Sequence, residues 1–123
     1  RMETETEENN AEPFSAYTLQ TLSTEEGGIA KPESVMLYGV EPDSRYVSLP
    51  GSGVYVSAAY AEKYNIGAGD TVTLREKYED TQYTFAIDGV YDYMGAIAIF
   101  MPRETLNRTF DLGSGYYGGY FYG

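Results

Sequence analysis

Apolar and polar positions alternate along much of this chain, and the alternation predicts a succession of short strands. Residues 14–22 alternate loosely, with Tyr17, Leu19 and Thr21 set against Ala16, Thr18, Gln20 and Leu22, and predict a first strand. Glu25-Glu26-Gly27-Gly28 supplies the turn after it. Residues 34–40 carry Val35, Met36, Leu37, Tyr38 and Val40, apolar on both parities, which predicts a strand buried on both faces. Glu41-Pro42-Asp43-Ser44 reads as a turn, with proline pre-setting φ. Tyr46 to Leu49 predicts a short extended piece, and Pro50 to Gly53 a loop.

The most structured signal runs from Val54 to Leu74. Val54 and Val56 alternate as in a half-buried strand, and Ser57 is placed to cap a helix by accepting a free backbone N–H. Tyr60, Ala61 and Tyr64 share one helical face. Gly67 and Gly69 are expected to end that helix, and Thr71 to Leu74 restart the strand pattern. A hairpin connection is expected around Glu79-Asp80-Thr81, followed by a return strand with Tyr83, Phe85 and Ile87 on one face. Gly89 interrupts that strand as a bulge before Val90 and Tyr91. Ala96 to Met101 predicts another strand. Pro102 then begins a helix at its first position, with Glu104 near its N-terminus and Leu106 and Phe110 inward. Residues 113–123 are rich in glycine and tyrosine and read as a last edge strand or a mobile tail. The sum is an α+β fold: a mostly antiparallel sheet or small partly open barrel with two short helices.

Length and charge narrow this picture. The 123 residues suit one core. Residues 1–13 are strongly acidic and read as a disordered lead-in or the remnant of a helix, leaving 14–123 as a single domain. No run reaches the ~20 apolar residues that cross a bilayer, and the acidic start is unlike a signal peptide. With aromatic residues still in progress at Tyr122-Gly123, the chain reads as a piece excised from a longer membrane protein.

Cysteine and histidine are both absent, which removes disulfides, thiolate ligands and the usual general base near neutral pH. The net charge of −11 disfavours nucleic acid and anionic lipid and favours cationic partners or a plain solvated acidic surface. Fourteen tyrosines exceed the needs of an ordinary core, and their apolar rings with polar tips suit half-exposed sheets and interfaces.

Candidate chemistry is sparse. Gly69-Asp70 is placed to form a corner in which Asp70 binds backbone N–H groups. Glu79, Asp80, Asp88 and Asp92 lack the loop spacing of a calcium site. Ser52, Ser57 and Ser114 have no histidine, and no motif supports a dyad with Lys63 or Lys77. No pair of carboxylates stands out as glycosidase-like. No catalytic, metal or cofactor residues are therefore assigned. The candidate partner surface is the tail, through Tyr116, Tyr117, Tyr120, Phe121 and Tyr122. The other reading of that tail is an edge strand packed on missing parts of a parent protein.

Five motifs, taken in order, resemble the extracytoplasmic domain of FtsX-like ABC-transporter permeases, the group that includes MacB-like and LolE-like proteins. They are Leu37-Tyr38-Gly39-Val40-Glu41-Pro42-Asp43, Val54-Tyr55-Val56-Ser57, Tyr60-Ala61-Glu62-Lys63-Tyr64, Gly69-Asp70-Thr71-Val72-Thr73-Leu74 and Phe85-Ala86-Ile87-Asp88-Gly89-Val90-Tyr91. Ser57, Tyr60, Ala61, Tyr64, Gly69 and Asp70 are the structural residues of this signature. The run from Phe100 to Phe110 is similar to Firmicutes-type members of the group. The resemblance implies a non-catalytic domain outside the cytoplasmic membrane, between the first and second membrane helices. The implied partners are those helices, a cytoplasmic ATPase, and an extracellular peptide, lipid-linked substrate or accessory protein. The alternative is a stand-alone surface or adhesion module that binds protein or carbohydrate through tyrosines.

Overall fold

The computed structural model describes residues 12–22, 31–113 and 119–121. The elements are β1 (Glu12–Thr21), β2 (Ser34–Val40), β3 (Tyr55–Ser57), α1 (Ala58–Tyr64), β4 (Thr71–Arg75), β5 (Gln82–Ala86), β6 (Gly89–Tyr91), β7 (Ala98–Pro102), α2 (Arg103–Thr109) and β8 (Gly119–Phe121). Seven strands form a curled mixed sheet, half of a barrel, in the order β5-β4-β1-β2-β7-β3-β6, and β8 pairs off β1. Two short helices complete an α+β fold. Five of the seven strand pairings are antiparallel; β2 with β7 and β3 with β6 are parallel. The expected architecture is therefore the observed one.

The strands are covered on two faces. On the inner face Leu19, Val35, Leu37, Val56, Leu74 and Ile99 are buried together with Tyr60 of α1 and Leu106 of α2. On the outer face a smaller cluster holds Val40, Val47, Ala98 and Phe100, with Met36 and Tyr38 against it. The alternating parities of β2 supply both clusters, as its apolar run requires. Helix α2 lies close over β2: a Cβ on Gly39 would stand 2.8 Å from the Arg103 Cα. Only glycine lets the helix approach this far.

Several boundaries differ from the sequence reading. β1 begins at Glu12, so Glu12 and Pro13 belong to the sheet and not to an acidic lead-in; they pair with Phe121 and Tyr120. Residues 46–49 form no strand, because Ser44 Oγ accepts the N–H groups of Tyr46 and Val47 and holds a turn. Helix α1 ends at Asn65, not at a glycine. Asn65 takes the left-handed conformation (φ 57°), and its N–H bonds the carbonyl of Ala61. Gly69 (φ 93°) instead turns the chain into β4. Gly89 is no bulge: it begins β6, which leaves β5 and pairs in parallel with β3. The Tyr55 ring lies over it, 3.1 Å from where a Cβ would be. Pro102 closes β7 and stands just before α2 without a side-chain cap bond, so the helix begins one residue later than expected, at Arg103. The turn at residues 25–28 lies outside the described residues.

Candidate functional site

Register on the outer face gathers aromatic rings from five separate segments. Tyr38 of β2 is opposite Phe100 of β7, and the two rings stack at 5.4 Å. Phe14 of β1 meets the edge of Tyr38 at 5.7 Å. Tyr91 of β6 and Tyr93 just beyond it approach Phe100 at 4.9 and 5.9 Å. Tyr46 and Val47 close the fifth side from the β2–β3 connection, around a cleft of about 410 Å³. Phe100 is buried at its floor, whereas Tyr93 is 40% exposed at its rim and Met94 beyond it 57%. Burial, and then the neighbouring Tyr93, pushes the Tyr38 phenol above its usual range. A concave, largely apolar surface edged by phenolic tips is a recognition site rather than a reaction centre.

Glu12 stands at the Phe14 end of this face, two residues along β1 and so on the same side of the sheet. It is only 8% exposed. Its Oε1 accepts the Arg45 backbone N–H at 2.8 Å, and the Arg45 Nε is 3.8 Å away. The Arg45 guanidinium in turn lies 5.4 Å from the centre of the Tyr46 ring.

A larger cavity of about 580 Å³ sits where β2 meets α2, lined by Glu41, Pro42, Arg103, Asn107 and Arg108 among others. Its central charges neutralise each other, with Arg103 Nε 3.0 Å from Glu41 Oε2. Two further polar groups tie elements together. Lys63 donates to Glu33 at 2.8 Å and Tyr64 OH donates to the same carboxylate, fastening α1 to the start of β2. The Lys63 bond, then that of Tyr64, holds the Glu33 carboxyl below its usual value. Burial and then Glu33 push Tyr64 up to about 12. On the other side Glu76 Oε2 accepts Tyr17 OH at 2.8 Å and Tyr83 OH at 3.3 Å. That first hydrogen bond is the main reason Tyr17 is pushed up to about 12.

The residues singled out in the sequence occupy other places. Ser57 caps α1, and its Oγ accepts Tyr60 N–H at 3.2 Å and Ala98 N–H at 3.1 Å while donating to the Ala96 carbonyl at 2.7 Å. Tyr60 is buried in the inner core, with Ala61 beside it and the edge of Tyr64 5.3 Å away. Asp70 Oδ2 accepts the Gly67 N–H at 2.8 Å and closes the Gly69 corner. These residues shape the domain. Tyr116, Tyr117 and Tyr122 lie outside the described residues; Tyr120 and Phe121 belong to β8, whose pairing with Pro13 and Glu12 sets that strand alongside Phe14. The cleft itself escaped sequence reasoning, because its rings are scattered from position 14 to position 100. The available signal was β2, whose second apolar face had to be covered by something.

Among the described residues no three acidic side chains cluster so as to hold a metal ion, and no helix is long and apolar enough to cross a membrane. No protein-family model matches the chain, and no curated protein matches it.

Proposed function

We propose that this chain is the non-catalytic extracytoplasmic domain of an FtsX-like ABC-transporter permease of the Firmicutes type. It would couple ATP-driven movement of the membrane helices to the handling of a peptide, lipid-linked substrate or accessory protein outside the cell. The observation that carries the reading is the pairing of β1 with β8. These strands run antiparallel with Glu12 opposite Phe121, so the start of the first described strand and the end of the last lie about 5 Å apart. Ends this close, which domains often have, suit a domain set between two neighbouring membrane helices. Motion of the helices would then reach the sheet through β1 and β8 and turn the domain as a rigid body. The ordered motifs add support: they fall on the end of β2, on β3, on α1, on the Gly69 corner with β4, and on β5 with β6.

The test is topological. These 123 residues hold no cysteine, so in a full-length protein from which any cysteine elsewhere has been replaced, a Tyr78→Cys change at the tip of the β4–β5 hairpin, 86% exposed in the wild type, makes a unique reporter. Labelling by a membrane-impermeant maleimide on intact cells is expected, together with co-purification of an ATPase subunit. Protection until the cells are lysed would overturn the reading.

The aromatic cleft favours the second reading, a surface or adhesion module. The open reading frame separates the two. Apolar helices flanking this segment fit the permease, and a secretion signal followed by repeated modules fits the adhesin.

A further inference from the structure

Two features neighbour each other on the outer face of the sheet, joined where Glu12 accepts the N–H of Arg45 and the next residue, Tyr46, lines the cleft. The first is the set of tyrosines, Tyr38, Tyr46, Tyr91 and Tyr93, that line the cleft. Aromatic faces attract cations through their quadrupole, the more so where water is displaced. The second is Glu12, whose Oε2 is buried and has no hydrogen-bond partner among the described residues. A covered carboxylate oxygen without a partner is costly, and a bound cation is one way to satisfy it. Arg45 shows that the place accepts positive charge. Its guanidinium reaches both the Tyr46 ring and Glu12 Oε1, yet its own side chain remains 58% exposed and leaves Oε2 unmatched.

We infer that the cleft is a docking site for a cationic peptide, with a lysine or arginine side chain laid across the rim tyrosines and its charge directed to the Glu12 carboxylate. Charge complementarity supports this occupant, because a net charge of −11 steers cations towards the domain and anionic surfaces away. Beside the cleft runs β6, which pairs with β3 on one side and with no other strand among the described residues. Its outer edge offers backbone donors and acceptors to an extended chain, whose alternate side chains would then face the rings. A small organic cation would use the rings but not this edge. The inference concerns the isolated domain and is independent of the membrane helices proposed on either side, so its failure leaves that reading standing.

The experiment titrates the 123-residue chain with a capped Gly-Lys-Leu-Lys-Gly peptide, the same peptide with glutamate for lysine, and tetramethylammonium, followed by two-dimensional amide NMR. Saturable shifts centred on Tyr38, Tyr46, Tyr91 and Tyr93 are expected for the lysine peptide alone. Glu12→Gln keeps an acceptor for the Arg45 N–H and should weaken binding about tenfold. Tyr93→Ala, at the exposed rim, should weaken it about threefold without affecting the fold. Glu79→Gln, on the distant hairpin, should leave it unchanged. The proposal is overturned if no peptide binds, if the shifts lie elsewhere, or if Glu79→Gln weakens binding as much as Glu12→Gln. It is also overturned if tetramethylammonium reproduces the same shifts at equal affinity. Should Glu12→Gln fail to fold, Tyr93→Ala with the three ligands decides alone.

Discussion

Tyr17 and Phe110 stack with ring centres 3.9 Å apart and planes 11° from parallel, joining the middle of β1 to the C-terminal end of α2. Tyr83 of β5 also meets Phe110, in an edge-on arrangement with centroids 4.8 Å apart. One half-buried ring thus fastens a short helix to two strands. A helix of seven residues has little stability of its own and depends on such contacts. Phe110→Ala should lower the unfolding free energy by about 2 kcal/mol, below the range for a fully buried phenylalanine. A double-mutant cycle of Tyr17→Leu and Phe110→Leu in urea should return a coupling of about 1 kcal/mol.

The same tyrosine sets an alkaline limit on the fold. Glu76 holds the Tyr17 proton in the native state and pushes this phenol up to about 12, while burial and Glu33 do the same to Tyr64. Both groups bind their proton more tightly when folded than when unfolded. Their contribution is therefore complete below about pH 10, the value of a free phenol, and is lost as the pH rises through about 12. Denaturant midpoints should be level from pH 8 to about 10 and fall steeply above it. Glu76→Gln keeps an acceptor but removes the charge, so one phenol should ionise earlier in an absorbance titration at 295 nm. An unchanged titration would show that Glu76 does not hold Tyr17.

Ser57 serves two elements with one hydroxyl. It caps α1 through Tyr60 N–H and also binds the Ala96 carbonyl and the Ala98 N–H, fixing the approach to β7. Ser57→Ala leaves these buried groups unmatched and should cost about 2–3 kcal/mol, more than a solvent-exposed cap. Hydrogen exchange should show earlier opening both in α1 and at Ala98. Opening confined to α1 would mean that the β7 contacts carry no weight.

Gly39→Ala tests how closely α2 must lie on β2. The new methyl group would meet the Arg103 Cα at 2.8 Å and the Leu106 Cβ at 3.0 Å, and neither is the end of a flexible side chain. A loss of about 2 kcal/mol is expected as the helix is pushed outward. Fluorescence of the single-residue reporter Phe110→Trp, read with and without Gly39→Ala, should register the displacement of the helix end. Unchanged stability and emission would show that the helix moves aside freely.

Much of the architecture was legible because it is local. The apolar run in residues 34–40, unbroken by parity, marked β2 to the residue, and the Ser57 cap with the Tyr60–Tyr64 face marked α1. The return strand was legible from Tyr83, Phe85 and Ile87, the first half-buried and the other two buried on one face. Errors arose where a distant partner decided. Gly89 resembles a bulge in its own context, yet its place is fixed by Tyr55 on another strand. Glu12 belongs by composition to an acidic lead-in, yet Arg45 N–H and the pairing with β8 draw it into the sheet.

The sequence by itself determined the type and order of most elements, the two-sided burial of β2 and the lack of histidine and cysteine chemistry. Each of these depends on residue type or on neighbours within a few positions. Tertiary structure alone decided that Phe14, Tyr38, Tyr46, Tyr91 and Tyr93 share one cleft with a covered carboxylate beside it. Strand order and register bring such residues together, and these are set by pairings between distant segments, such as Tyr38 with Phe100 and Tyr55 with Gly89, that no local pattern encodes.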